Sequence, residues 1–121
     1  MMESLFAPAG GWVVRIVDLS GGSEGEVEEV RGFATLMHAN AFARAYVRDS
    51  VERCRLPGAS PRDVAAAWHA FGEDAEVVDA GDLAWSSAAE LAFFAANPAP
   101  PGSEERDWRS LDPRRFAGAD D

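Results

Sequence analysis

The heptapeptide WVVRIVD, Trp12–Asp18, constrains the fold of this chain more than any other segment. As a strand it is apolar on both faces. Trp12, Val14 and Ile16 point one way, while Val13 and Val17 flank Arg15 on the other, the pattern of a strand near the middle of a sheet. The turn SGGSEG follows at residues 20–25, and Glu26–Phe33 (EVEEVRGF) reads as the return strand of a hairpin. Its alternation is broken, because Val27 and Val30 stand three apart. Glu24, Glu26, Glu28 and Glu29 mark it as an exposed edge, where charge discourages sheet-to-sheet aggregation.

Thr35 is placed to cap a long helix over residues 36–55, on which Leu36, Ala39, Ala43, Tyr46, Val47, Ser50 and Cys54 form one stripe with Val51 on its border. That stripe should pack on the hairpin. Leu56-Pro57-Gly58 ends the helix, since a residue before proline disfavours the helical conformation. Ser60-Pro61-Arg62-Asp63 starts a second helix reaching residue 69 or 70, with a serine cap and proline at the first position. Phe71-Gly72-Glu73-Asp74 then reads as a turn into a short third strand over residues 75–79. A serine-capped helix from Ser86 or Ser87 closes the series at Asn97-Pro98. The expected fold is α+β in the order ββααβα: a small antiparallel sheet, a hairpin plus a short third strand, packed against the long helix. Residues 1–97 form the single domain, and residues 98–121, rich in proline, arginine and aspartate, form a tail that is disordered or folds onto a partner.

Three landmarks resemble a small uncharacterised family of bacterial proteins, mostly alphaproteobacterial. They are the hairpin leading into Gly32-Phe33-Ala34-Thr35, with Ala39, Ala43, Arg44, Val47, Asp49 and Ser50 on the following helix; the sequence FGED at residues 71–74; and the cap around Trp85-Ser86-Ser87-Ala88. The resemblance covers residues 12–94 and implies the fold; no established activity comes with it. Leu36, Met37 and His38 stand where that pattern has acidic residues, and Ala75 stands where it has proline.

Composition excludes several chemistries. All 11 basic residues of the 121 are arginine, so neither a phosphate-binding loop lysine nor a Schiff-base lysine is present. A formal charge of -10 opposes binding to phosphate backbones or anionic membranes and fits a basic partner, or plain solubility, better. The lone Cys54 forms no intramolecular disulfide, and no secretory signal or membrane-length apolar run is present, so the expected location is cytoplasmic.

Candidate sites are few. Glu73 and Asp74 of FGED, with Asp79 and Asp82 nearby, could gather carboxylates for a cation or an arginine-bearing partner; the alternative is a helix-ending turn with Gly72 at positive φ, Phe71 as a core anchor and the acids in water. His69 could act with Glu73 or Asp74 as a general base, or simply favour the end of its helix through the dipole. Arg44, Arg48 and Arg55 project within about 40° of one another at 100° per residue. They could clamp an anion or an acidic partner, meet the hairpin glutamates, or stay solvated. His38, in the first turn of its helix, suggests a surface or partner contact, and Cys54 a buried, inert thiol. Trp108, Leu111 and Phe116 stand among arginines, as anchors that order on a partner or fold back onto the domain's own sheet, an inert tail being the remaining alternative. No catalytic constellation, metal site or cofactor motif emerges. The expected function is a non-catalytic binding or accessory protein working through protein–protein contacts, with a homo-oligomer possible. The alternatives are a small metal- or ligand-dependent enzyme using His69, Glu73 and Asp74, or an acidic mimic of nucleic acid.

Overall fold

The computed structural model describes residues 8–20 and 26–115. Its elements follow the order expected: β1 (Trp12–Asp18), β2 (Glu26–Phe33), α1 (Leu36–Arg53), α2 (Pro61–Phe71), β3 (Glu73–Val77) and α3 (Ser87–Ala96). The sheet is antiparallel throughout, in the order β2-β1-β3, so the strand that is apolar on both faces is the central one. Trp12, Val14 and Ile16 turn inward with Val30, Phe33, Ala75 and Val77, and α1 lies across them. On the outer face Arg15 bridges the two edges, 4.0 Å from Glu29 and 3.7 Å from Glu76. The turn at residues 21–25, including Glu24, lies outside the described residues.

Each helix begins as its sequence dictates. The Thr35 hydroxyl accepts from His38 N at 3.0 Å, Ser60 Oγ accepts from Asp63 N at 3.1 Å, and Ser86 Oγ accepts from Ala88 N at 3.2 Å. The long helix departs from expectation in how much of it is buried. Phe42, Ala45 and Arg48 join Ala39, Ala43, Tyr46, Val47, Ser50 and Val51 in the interior, while Leu36 and Cys54 are only partly buried. A single stripe suits a helix with one covered face. Here the sheet covers one side of α1, and α3 with the C-terminal segment covers others.

The stretch 71–74 is not a turn. Phe71 ends α2, Gly72 caps it with its N–H donating to Trp68 O, and Glu73 and Asp74 open β3. Strand β3 therefore starts two residues earlier than expected, and it ends at Val77, ahead of Asp79, the one described non-glycine residue at positive φ (63°). Phe71 is 73% exposed and is no core anchor. Gly72 sits at φ -89°, so no left-handed conformation requires glycine there. Close approach does: a Cβ would lie 2.3 Å from Trp68 Cδ1 and 2.9 Å from Trp68 O. The Trp68 indole is fixed in that place, buried and donating from Nε1 to Glu73 O at 3.2 Å.

Residues 98–115 wrap along α1 as short 3-10 turns, Glu104–Arg106 and Trp108–Leu111. Proline-rich composition argued for an unstructured tail, but ion pairs and one large ring supply the ordering energy. Arg106 Nε donates to Asp49 Oδ1 at 2.8 Å, and the Trp108 ring packs 4.9 Å from Tyr46 and 6.1 Å from Phe42. Asp112 is buried and bound by Arg114, which also reaches Glu28 of β2.

Replacing Gly72 with alanine forces the Trp68 indole or the α2 terminus to move. The expected cost is about 1–3 kcal/mol of unfolding free energy, measured by urea denaturation. Phe71→Ser, one residue earlier but exposed, should stay within about 0.5 kcal/mol of wild type.

Candidate functional site

The end of β1, the last turn of α1, the α1–α2 connection and the α2–β3 junction enclose a groove of about 550 Å³. Its position follows from chain geometry. Leu56-Pro57-Gly58 stops α1 beside the point where Gly72 turns α2 into β3, and Leu19 N binds Gly72 O at 2.9 Å, which fixes the end of β1 there. The lining mixes apolar and charged groups: Leu56, Ala67, Phe71 and Cys54 with Asp18, Arg53 and Glu73. Leu56 is 69% exposed, so both large apolar side chains stand in solvent.

Polar groups in the groove are held in place. Asp18 Oδ1 accepts from Ser20 N at 2.9 Å and Ser20 Oγ at 2.6 Å, bonds that hold its carboxyl below the usual range. Glu73 Oε1 accepts from Tyr46 OH at 2.5 Å, and Arg53 stands 3.7 Å from the same oxygen while also reaching Asp49 at 3.4 Å. Burial, followed by that bond to Glu73, pushes the Tyr46 phenol far up. Burial also raises the Cys54 thiol, which keeps it protonated and a poor nucleophile at neutral pH.

Of the two carboxylates expected to act with His69, Asp74 joins it and Glu73 does not. Successive strand residues point to opposite faces, so Glu73 meets Tyr46 while Asp74 lies in a second groove with His69, Leu19, Ser87 and Leu91. Asp79 and Asp82 fall beyond β3, in the turn before α3. Among the described residues no three His, Cys, Asp or Glu side chains are grouped to hold a metal ion.

Arg44 and Arg48 of α1 and Arg55, two residues past its end, do act together, and their target is α3. Arg48, 2% exposed, donates to Phe94 O at 3.1 Å, Asn97 O at 2.6 Å and Glu105 Oε1 at 3.0 Å. Arg55 donates to Phe94 O and Ala95 O, both at 2.9 Å, and pairs with Glu52. Arg44 holds Glu90 through two bonds of 2.6 and 2.9 Å. Two guanidinium groups thus cap the C-terminal carbonyls of α3, where positive charge is favoured by the helix dipole. A shared face within about 40° left open a clamp for an external anion, contact with the hairpin glutamates, or solvation; the groups actually held are backbone carbonyls of the α3 end and the carboxylates of Glu52, Glu90 and Glu105.

In the C-terminal segment, Trp108 Nε1 donates to Asp49 Oδ2 at 3.3 Å, Arg109 stacks 4.4 Å over the Trp108 ring, and Leu111 O accepts from His38 Nε2 at 2.7 Å. Phe116 lies outside the described residues. Sequence reasoning missed Asp18, Arg53 and Leu56 as groove residues. Leu56 was visible as an apolar residue at a helix stop, but nothing local says that the stop lies beside Gly72.

Arg48→Ala leaves Glu52 and Glu105 without their buried cation and strips donors from α3, so a loss of about 3–5 kcal/mol is expected in urea denaturation, whereas Arg44→Ala should cost about 1 kcal/mol or less. Asp74 is shifted in the opposite sense to Asp18, Glu52, Glu90, Asp107 and Asp112. Burial raises its folded pKa, opposed by bonds from Ala75 N and Ser87. The penalty on its charged form is complete above the folded pKa and absent below the unfolded one. Asp74→Asn is therefore expected to raise the unfolding midpoint at pH 7 and to converge on wild type as pH falls toward the unfolded value. Comparison with protein-family models, curated proteins and solved structures gave no match, so the resemblance to the alphaproteobacterial family rests on the residues quoted for it alone.

Proposed function

We propose that this protein is a non-catalytic binding protein that docks another protein in the groove between the end of α1 and the α2–β3 junction. The observation that carries this reading is the exposure of Leu56 and Phe71 together on one concave surface. Each large apolar side chain desolvated by a partner contributes about 1.5–3 kcal/mol, so two of them suffice for a specific anchor. The chemistry around them favours binding over catalysis. Cys54 is held protonated, the Glu73 carboxylate is engaged by Tyr46 and Arg53, and His69 lies in a different groove. Arg44, Arg48 and Arg55 are committed to α3, which removes these three from any binding surface.

Selection of a random peptide display library on the full chain tests the reading. Selected peptides should lose at least about tenfold in affinity, equivalent to 1.4 kcal/mol, for the Leu56→Ser/Phe71→Ser double variant, while its urea midpoint remains near wild type. Peptides that bind the double variant as tightly as the parent would remove the groove as the docking surface.

A further inference from the structure

Resting on that reading, we infer that the groove recognises an arginine side chain of the partner protein, its guanidinium meeting Asp18 and its stem passing along Phe71 and Leu56. Of the two carboxylates that line this groove, Glu73 is met by Arg53, whereas Asp18 has no cation paired to it among the described residues. Asp49 is shared by Arg106 and Arg53, Glu52 by Arg48 and Arg55, Glu90 is held by Arg44, Glu105 by Arg48, and Asp112 by Arg114. Asp18 lies in the groove with only the neutral donors of Ser20; among the described residues no cation pairs with it. Glu73, in the same groove, adds a second carboxylate whose charge Arg53 shares with Asp49.

The molecule also contains a guanidinium held by the same two kinds of group, a carboxylate and a phenylalanine ring. Arg44 lies 5.2 Å from the Phe94 ring centroid while both of its bonded nitrogens meet the Glu90 carboxylate. A guanidinium there satisfies a carboxylate and an aromatic face at once. Phe71 and Asp18 present the aromatic ring and the carboxylate in the groove, with no guanidinium of this chain paired to Asp18 among the described residues. Arginine suits this pair better than lysine because its planar cation is less strongly hydrated and stacks on rings. The chain's net charge of -10 draws a basic partner toward the groove and disfavours an acidic one.

The test is an amide-resolved NMR titration of the full chain with capped alanine pentapeptides carrying arginine, leucine or glutamate at the centre. The arginine peptide should shift the amides of Ser20, Gly72 and Glu73, and the glutamate peptide should not. Asp18→Asn, which keeps an acceptor for Ser20, should weaken that response by roughly threefold or more, the size of an exposed ion pair. Phe71→Leu should weaken it while leaving the groove apolar, and added salt should weaken it by screening. If the leucine peptide moves these amides and the arginine peptide does not, the arginine assignment is wrong and the docking groove stands. Equal arginine binding by Asp18→Asn also overturns the assignment. If no pentapeptide and no display-selected peptide moves them, both readings fall. If concentrating the protein alone produces the same shifts, the arginine comes from a second copy of this chain rather than from a different protein.

Discussion

The buried guanidinium of Arg48 is the interaction on which the arrangement around α1 depends. Taking a cation out of water costs several kcal/mol unless each of its nitrogens finds an acceptor. Arg48 meets that condition by drawing on three separate parts of the chain: Glu52 on its own helix, the α3 terminus at Phe94 and Asn97, and Glu105 beyond it. Its plane also lies 4.7 Å from the Phe94 ring centroid. The last turn of α3 and the segment that follows are therefore positioned together by one side chain. That is why the proline-rich C-terminal stretch behaves as part of the domain through Arg115.

The legible part of this fold was its local grammar. Strand β1 announced its central place through apolar residues on both faces, and Thr35, Ser60 and Ser86 or Ser87 announced the helix starts. What stayed hidden depends on contacts distant in sequence. Arg48 looks like one more surface arginine until α3 and Glu105 are known to cover it. Gly72 looks like a turn residue, and only the neighbouring Trp68 indole reveals that its missing side chain makes room. Phe71 looks like a core residue because most phenylalanines are; α2 ends with that ring exposed in the groove. The residues of FGED drew attention for the wrong reason: their carboxylates separate to opposite sides of β3, while the phenylalanine becomes the exposed feature.

Rigid support and an open surface coexist at the α2–β3 junction. The groove's backbone is tied by Leu19 N to Gly72 O and by Glu73 N to Ser50 Oγ at 2.9 Å, which links β1, β3 and α1 beneath it. Side chains on such a frame lose little backbone freedom when a partner arrives, so more of the contact energy appears as affinity. The second groove, around His69 and Asp74, differs in kind. Its half-buried carboxylate carries an unfavourable desolvation that the surrounding bonds only partly offset.

Gly32 joins the two ends of the described chain. The backbone of Gly11, which leads into β1, passes so close to Gly32 that a Cβ on Gly11 would lie 2.9 Å from it, and Pro113 reaches within 3.7 Å of where a Gly32 Cβ would stand. Both approaches occur at the Trp12 end of β1, whereas the groove opens at the Asp18 end, about 20 Å away along a seven-residue strand. The described residues thus begin and end at the pole opposite the groove, so neither Pro8 nor Arg115 crowds a partner that enters it.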